Sequence, residues 1–143
     1  DLSTQIEAAG LKDRVILTGY QDRNNVMTIL KSSDIFAMPS RYEGTPIALL
    51  EAAALGLPIL AAASGGIPEL VTDQEHALLV QPNNPTALAN GLLRLCSERE
   101  YARTLGNNAQ QRIRTTFDLN TQIQNTFLAY QKALDRHNKK KQK

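Results

Sequence analysis

The sequence predicts an α/β fold, an open doubly wound parallel sheet with helices on both faces. Three observations predict it. Short apolar runs alternate with segments of helical spacing along the 143 residues, the pattern of successive βα units. The runs "RVILTG", "DIFAMPS", "LPILAA" and "HALLVQP" are apolar almost throughout rather than at every second residue, which is what a sheet covered on both faces requires. Gly or Pro stands at or beside the ends of these runs, where the chain must turn.

Each element follows from local chemistry. Residues 14–19 form a β-branched run closed by Gly19 and are expected as the first strand. In residues 24–33, Val26, Ile29 and Leu30 recur at helical spacing. Residues 34–40 read as a second strand ended by Pro39. A helix then runs to Leu55, with Thr45 as the expected N-cap, Pro46 in the first helical position and Gly56 just past the last turn. Residues 57–62 are a third strand, 64–71 a Gly-rich turn entering a short helix, and 76–82 a fourth strand. Helical patterns cover 85–96, 98–115 and about 119–136. The expected division is a domain over 1–117, a C-terminal helix over 118–135 and a basic tail over 136–143.

A hydrophobic content of 42% over this length suits one domain with a real core. No run approaches the roughly 20 apolar residues of a membrane span. The opening "DLSTQIEAAG" is polar and amphipathic, unlike a signal peptide. It begins with Asp1 rather than Met, so a piece of a longer protein is expected. The single Cys96 excludes an internal disulfide and suits a cytoplasmic chain. Its place in "ALANGLLRLC" suggests a small core residue. His76 and His137 lie too far apart for ligand spacing. No metal site is expected, and His76 reads as a surface turn residue. The net charge of +2 conceals an uneven distribution: residues 1–135 carry 11 basic and 14 acidic side chains. A mildly acidic body argues against nucleic acid as a partner. The tail "RHNKKKQK" reads as a solvated helix end, with weak contact to an anionic membrane surface as the lesser alternative.

The stretch "SRYEGTPIALLEAAALGLPIL" (40–60) holds Glu43 in a turn and Glu51 within a strongly apolar helix. A helix starting at Pro46 leaves the N–H groups of Ile47 and Ala48 without helical partners, an anion site at the end of a strand. Gly44 permits close approach of backbone to a ligand. Glu51 falls roughly 7.5 Å along the axis from Pro46. Carboxylates on both sides of an anion suit a molecule with hydroxyls on both sides of a diphosphate, such as a nucleotide sugar. The plain alternatives are a solvent-facing Glu51 and an ordinary turn residue at Glu43.

"PSRYEGTPIALLEAAALGLPILAAASGGIPELV" resembles the signature of the retaining glycosyltransferases of group 1, or family four, which have the GT-B fold. Glu43 and Glu51 match the family's E-x(7)-E motif, and the "PS", "LEA…GLP" and "GG-x-PE" pieces match as well. The resemblance runs from about Leu11 to Phe117. It implies a Rossmann-like C-terminal half of a GT-B fold, and residues 1–117 as part of a nucleotide-sugar-binding domain. It implies that Glu43 touches the transferred sugar and is the candidate catalytic residue, and that Glu51 binds ribose hydroxyls. Backbone around Gly44, Thr45, Ile47 and Ala48 would hold the distal phosphate. Gly65 and Gly66 would line the same cleft, or else form only a tight turn. The turn at Tyr20-Gln21 would lie near the base.

Three departures stand beside the resemblance. The N-terminal acceptor-binding domain and the start of this domain are absent, so the chain alone is expected to be inactive. His76-Ala77 occupies a turn where the family often has Asn-Gly, and Ala tolerates positive φ poorly. Glu69 suits any helix start and reads as structural. The resemblance implies sugar transfer with retention, with no metal or other cofactor. It points by family association to cell-surface polysaccharide or lipopolysaccharide assembly in the cytoplasm, peripheral at the membrane's inner face at most. The other readings are a non-catalytic nucleotide-sugar-binding or assembly module and a nucleotide-sugar epimerase of related fold.

Overall fold

The computed structural model describes the backbone of residues 1–141 and the side chains of residues 1–138. Its centre is β2 (Ile59–Ala62), whose four residues are all buried. β2 lies between β1 (Phe36–Met38) and β3 (Leu78–Val80) in a parallel sheet of order β1-β2-β3. Phe36 pairs with Ile59, and Leu60 pairs with Leu78. Because side chains alternate along a strand, β2 feeds two cores. Ile59 and Ala61 pack with Leu49, Ile67 and Val71, while Leu60 packs on the opposite face with Leu78, Leu95 and Leu105. The expected parallel sheet, apolar on both faces, is therefore present.

Helices connect and cover the strands. α3 (Ile47–Ala54) joins β1 to β2, and α4 (Ile67–Leu70) lies between β2 and β3. α5 (Pro85–Ser97) begins where the Asn84 side chain accepts the Ala87 N–H at 2.9 Å. α6 (Arg99–Thr116) serves both cores: Ala102 and Leu105 enter one, Ala109 and Ile113 the other. α7 (Leu119–Lys141) follows a cap at Asp118, whose Oδ1 accepts the Asn120 N–H at 2.9 Å. Hydrogen bonds from the Thr121 hydroxyl and N–H, with a smaller part from the Asn120 N–H, hold the Asp118 carboxyl below its ordinary pKa. The helix continues into the expected basic tail. Residues 142 and 143 and the side chains from 139 onward lie outside the described part.

α6 also caps its neighbours. Gln110 Nε2 donates to the Ala54 carbonyl at 2.8 Å, at the end of α3. Arg112 Nε donates to Leu70 O at 2.6 Å, and its terminal nitrogen to Glu69 O at 3.2 Å. Carbonyls at a helix end need such partners. Gly106 sits against the backbone of Gly56, so closely that a Cβ there would collide with the Gly56 carbonyl oxygen.

The chain divides into two compact units, residues 1–32 and 33–143. The smaller holds α1 (Leu2–Ala8) and α2 (Arg23–Lys31), each N-capped by an aspartate, Asp1 and Asp22. The expected strand at 14–19 does not form. Ile16 is 84% exposed, and residues 16–19 join no ladder among the described residues. β-branched residues favour a pleated backbone, but a strand exists only when a neighbouring edge takes its hydrogen bonds. Cys96 is a second correction: it is exposed rather than in the core. The buried face of α5 is carried by Gly91 and Leu95, and position 96 lies a third of a turn beyond it.

Gly106→Ala forces α6 off Gly56. A stability loss of about 1–3 kcal/mol is expected from this overpacking, read as a lower denaturation midpoint in urea.

Candidate donor site

The C-terminal ends of parallel strands are where open α/β sheets bind ligands, and in this chain those ends are stitched together. Ser64, buried just beyond β2, donates its hydroxyl to the Ser40 carbonyl beyond β1 at 3.0 Å. The Ala63 N–H donates to Val80 O at 2.8 Å, tying β2's exit to β3. The Gly66 N–H then donates to the Glu43 carbonyl at 2.9 Å. Gly65 has φ +53°, the left-handed region that favours glycine. A Cβ on Gly65 would strike Glu43 O, and one on Gly66 would strike Gly44 O. Two turns 22 residues apart in sequence are thus in backbone contact. Gly65 and Gly66 set the position of the Glu43-Gly44 turn.

That turn leads directly into α3. The helix begins one residue later than expected, and Thr45 makes no capping bond. Pro46 is the N-cap, with φ −73° and ψ 104°. Its carbonyl accepts the N–H groups of Leu49 and Leu50 at 3.2 and 3.3 Å. Proline's fixed φ is compatible with the extended conformation of a cap residue. Among the described residues, no backbone acceptor meets the N–H of Ile47 or Ala48. Two donors and the positive end of the helix dipole therefore remain at the helix start.

Around this start, Gly44, Thr45 and Ile47 are exposed, while Glu43, Ala48 and Glu51 are half-buried. Leu49, Ala52 and Ala53 form the buried side of α3. Glu51 thus lies between the core side and open solvent on the helix that begins with the two free donors. The structure brings Glu43, Gly44, Gly65 and Gly66 into one cluster and places Ile47, Ala48 and Glu51 along the adjoining helix. Tyr20-Gln21 belongs to the smaller unit. Among the described residues, no group of three or more His, Cys, Asp or Glu could hold a metal ion.

Sequence reasoning missed two features. One is Ser64, which reads as a loop residue but is the buried link between strand ends. The other is a cavity of about 340 Å3 at the same edge of the sheet, lined by Arg41, Gln81 and Asn83 among others. None of the expected donor-binding residues lines it. The basic residue two positions before Glu43 was its one signal in the sequence.

His76 also differs from expectation: it is 8% exposed, not a surface residue. Its Nδ1 accepts the Thr72 N–H at 3.3 Å, closing the turn between α4 and β3. The left-handed residue of that turn is Gln74, φ +59°, which spares Ala77. Burial lowers the His76 pKa, Glu75 raises it, and Arg112 lowers it further, for a net decrease.

Residues 1–112 match the family model described as "Glycosyl transferases group 1". The chain belongs to the group 1 glycosyltransferases. Its sheet and helices are those of the donor-binding half of a GT-B fold. A putative colanic acid biosynthesis glycosyltransferase, WcaL of Escherichia coli, is 38% identical over 97 residues, covering 64% of this chain and 24% of the relative. Among solved structures, the sucrose-phosphate synthase of Thermosynechococcus elongatus aligns with a TM-score of 0.84 and 29% identity, over 94% of this chain and 34% of that one. Anabaena Alr3699/HepE, solved in complex with UDP-glucose, aligns with a TM-score of 0.81 and 29% identity, over 90% and 36%. This glycosyltransferase chain thus spans about a third or less of the length of each.

Two outcomes test the site's construction. Gly66→Ala should push the Glu43 turn away and cost about 1–3 kcal/mol, with chemical-shift changes spreading to Gly44 and Ile47 in an NMR comparison. The depressed His76 pKa predicts stability that is held above the unfolded value near 6.5 and lost as pH falls through the lower folded value. The melting temperature should therefore drop between about pH 7 and 5, and His76→Gln should flatten that drop. An identical drop in both proteins would exclude His76 as its source.

Proposed function

We propose that the longer protein containing this chain transfers a sugar from a nucleoside diphosphate donor to an acceptor with retention of anomeric configuration, in cell-surface polysaccharide assembly. The observation that carries this reading is the start of α3, where the Ile47 and Ala48 N–H groups stand free behind the turn bearing Glu43 and ahead of Glu51. In this reading the two donors and the helix dipole hold the diphosphate. The Glu51 carboxylate accepts hydrogen bonds from ribose hydroxyls, and Glu43 meets the sugar. The relative crystallised with UDP-glucose supports a donor of this class.

The chemistry is electrostatic. The bond from the anomeric carbon to the phosphate oxygen breaks, and its electron pair leaves with the diphosphate. Negative charge grows where the Ile47 and Ala48 N–H groups point, so those fixed donors bind the transition state more tightly than the ground state. Positive charge grows on the sugar ring, where the Glu43 carboxylate opposes it. The acceptor hydroxyl oxygen bonds to the anomeric carbon and passes its proton to the departing diphosphate oxygen, which has gained the electron pair. The peripheral membrane contact belongs with α7 in this reading. Leu119, Ile123, Phe127, Tyr130 and Leu134 form an exposed row at helical spacing, followed by the basic end of the helix, features that such a contact uses.

Glu51→Ala should weaken UDP binding by about 1.5–3 kcal/mol, seen by calorimetry, while the circular dichroism melt is unchanged. In the longer enzyme, Glu43→Gln should lower kcat by about 10²–10³ with little change in nucleoside diphosphate affinity. Equal losses in both quantities would remove Glu43 from the sugar.

A further inference from the structure

We propose that the cavity at the ends of β1, β2 and β3 is a subsite for an anionic sugar unit, a saccharide ring bearing a carboxylate or a phosphate. It rests on the glycosyl-transfer reading above and adds a second ligand class to it, separate from the donor's diphosphate cradle.

Size comes first. At about 340 Å3 the cavity lies at the lower end of the range for small-molecule sites, roughly 300–1,000 Å3. That accommodates one sugar ring and excludes a whole nucleotide sugar. Its walls divide by chemistry. Pro39, Ala62, Val80 and Leu88 offer an apolar surface, suited to the C–H face of a pyranose. Arg41, Gln81 and Asn83 offer polar groups. A carboxamide both donates and accepts, as a ring of hydroxyls requires.

Charge then selects the ligand. Arg41 is the lining's charged residue, and among the described residues no acidic side chain shares the cavity. Among the described residues Arg41 has no ion-pair partner, unlike Arg94, which is bound to Glu98 at 3.1 Å. A guanidinium presents a flat fork of donors that matches a carboxylate or phosphate edge. A cationic sugar would find no counter-charge here.

The rim is built rather than accidental. Asn83 has φ +57°, one of two non-glycine residues in the left-handed region among the described residues. Asn84 beside it is committed to capping α5 through Ala87. Asn83 and Asn84 both line the cavity, and with the Asn84 side chain committed to the helix, Asn83 is the one of the pair whose carboxamide is assigned to the ligand. Arg41 and Glu43 share one turn, which places this subsite on the same loop as the residue assigned to the transferred sugar.

The test is an NMR titration of the ¹⁵N-labelled chain with glucuronate, glucose 6-phosphate and glucose. Both anionic sugars should shift the Gln81 and Asn83 side-chain amides, saturating in the millimolar range, roughly 1–10 mM. Glucose should bind about tenfold more weakly, and Arg41→Gln should weaken the anionic sugars by about tenfold or more with an unchanged melting temperature. A response to only one of the two anions supports the subsite and names its anion. Silence toward both, an equal response to glucose, or an unchanged response in Arg41→Gln overturns it. A parallel UDP titration, read at the Ile47 and Ala48 amides, separates the two claims. A pocket response without a UDP response refutes the donor cradle alone, and the converse refutes the subsite alone.

Discussion

The arrangement at the strand ends depends on one steric condition: the Gly65-Gly66 backbone passes so close to Glu43-Gly44 that neither glycine could carry a Cβ. The hydrogen bond from the Gly66 N–H to the Glu43 carbonyl fixes the contact. A turn is ordinarily the mobile part of a fold. Here the Glu43 turn is clamped by a second turn and by the Ser64 hydroxyl on Ser40. In the proposed reaction, pre-placed donors stabilise developing charge only if they need not reorganise, and this clamp holds the turn that leads into α3.

α6 provides a second layer of support from behind. It caps α3 through Gln110 and α4 through Arg112, and Asn108 donates to the Glu75 carbonyl at 2.9 Å. One helix thus anchors the far end of α3, the far end of α4 and the turn holding His76. The two helices that frame the candidate donor site are bonded at their C-terminal ends, so their N-terminal ends are held in register. The close packing of Gly106 on Gly56 is what allows α6 to reach all three places.

Most of the unit that carries the site was legible in the order of residues. β1, β2, β3 and the helices α3 to α6 fall close to where apolar runs, Gly and Pro place them, because a covered strand and an amphipathic helix need distinct periodicities. The misreadings share a cause. Residues 14–19 have strand composition but pair with no edge among the described residues. Cys96 has apolar neighbours in sequence but faces outward. His76 sits in a polar stretch yet is buried where its turn closes on the Nδ1. Thr45 has the chemistry of a cap, but the helix starts one residue later, with Pro46 as its N-cap. In each case the deciding contact comes from a residue distant in the chain or from the backbone's path.

The sequence by itself determined the class of fold, the family and the carboxylates at positions 43 and 51, since each is written in spacing and residue type. Only the tertiary structure decided that Gly65 and Gly66 press on the Glu43 turn, that Ser64 ties two strand ends, and that Arg41 shares a cavity with Gln81 and Asn83. The physical reason is that these are contacts between segments about 20 to 40 residues apart. Local propensity carries no information about which turns meet; the packing of both sheet faces around β2 does.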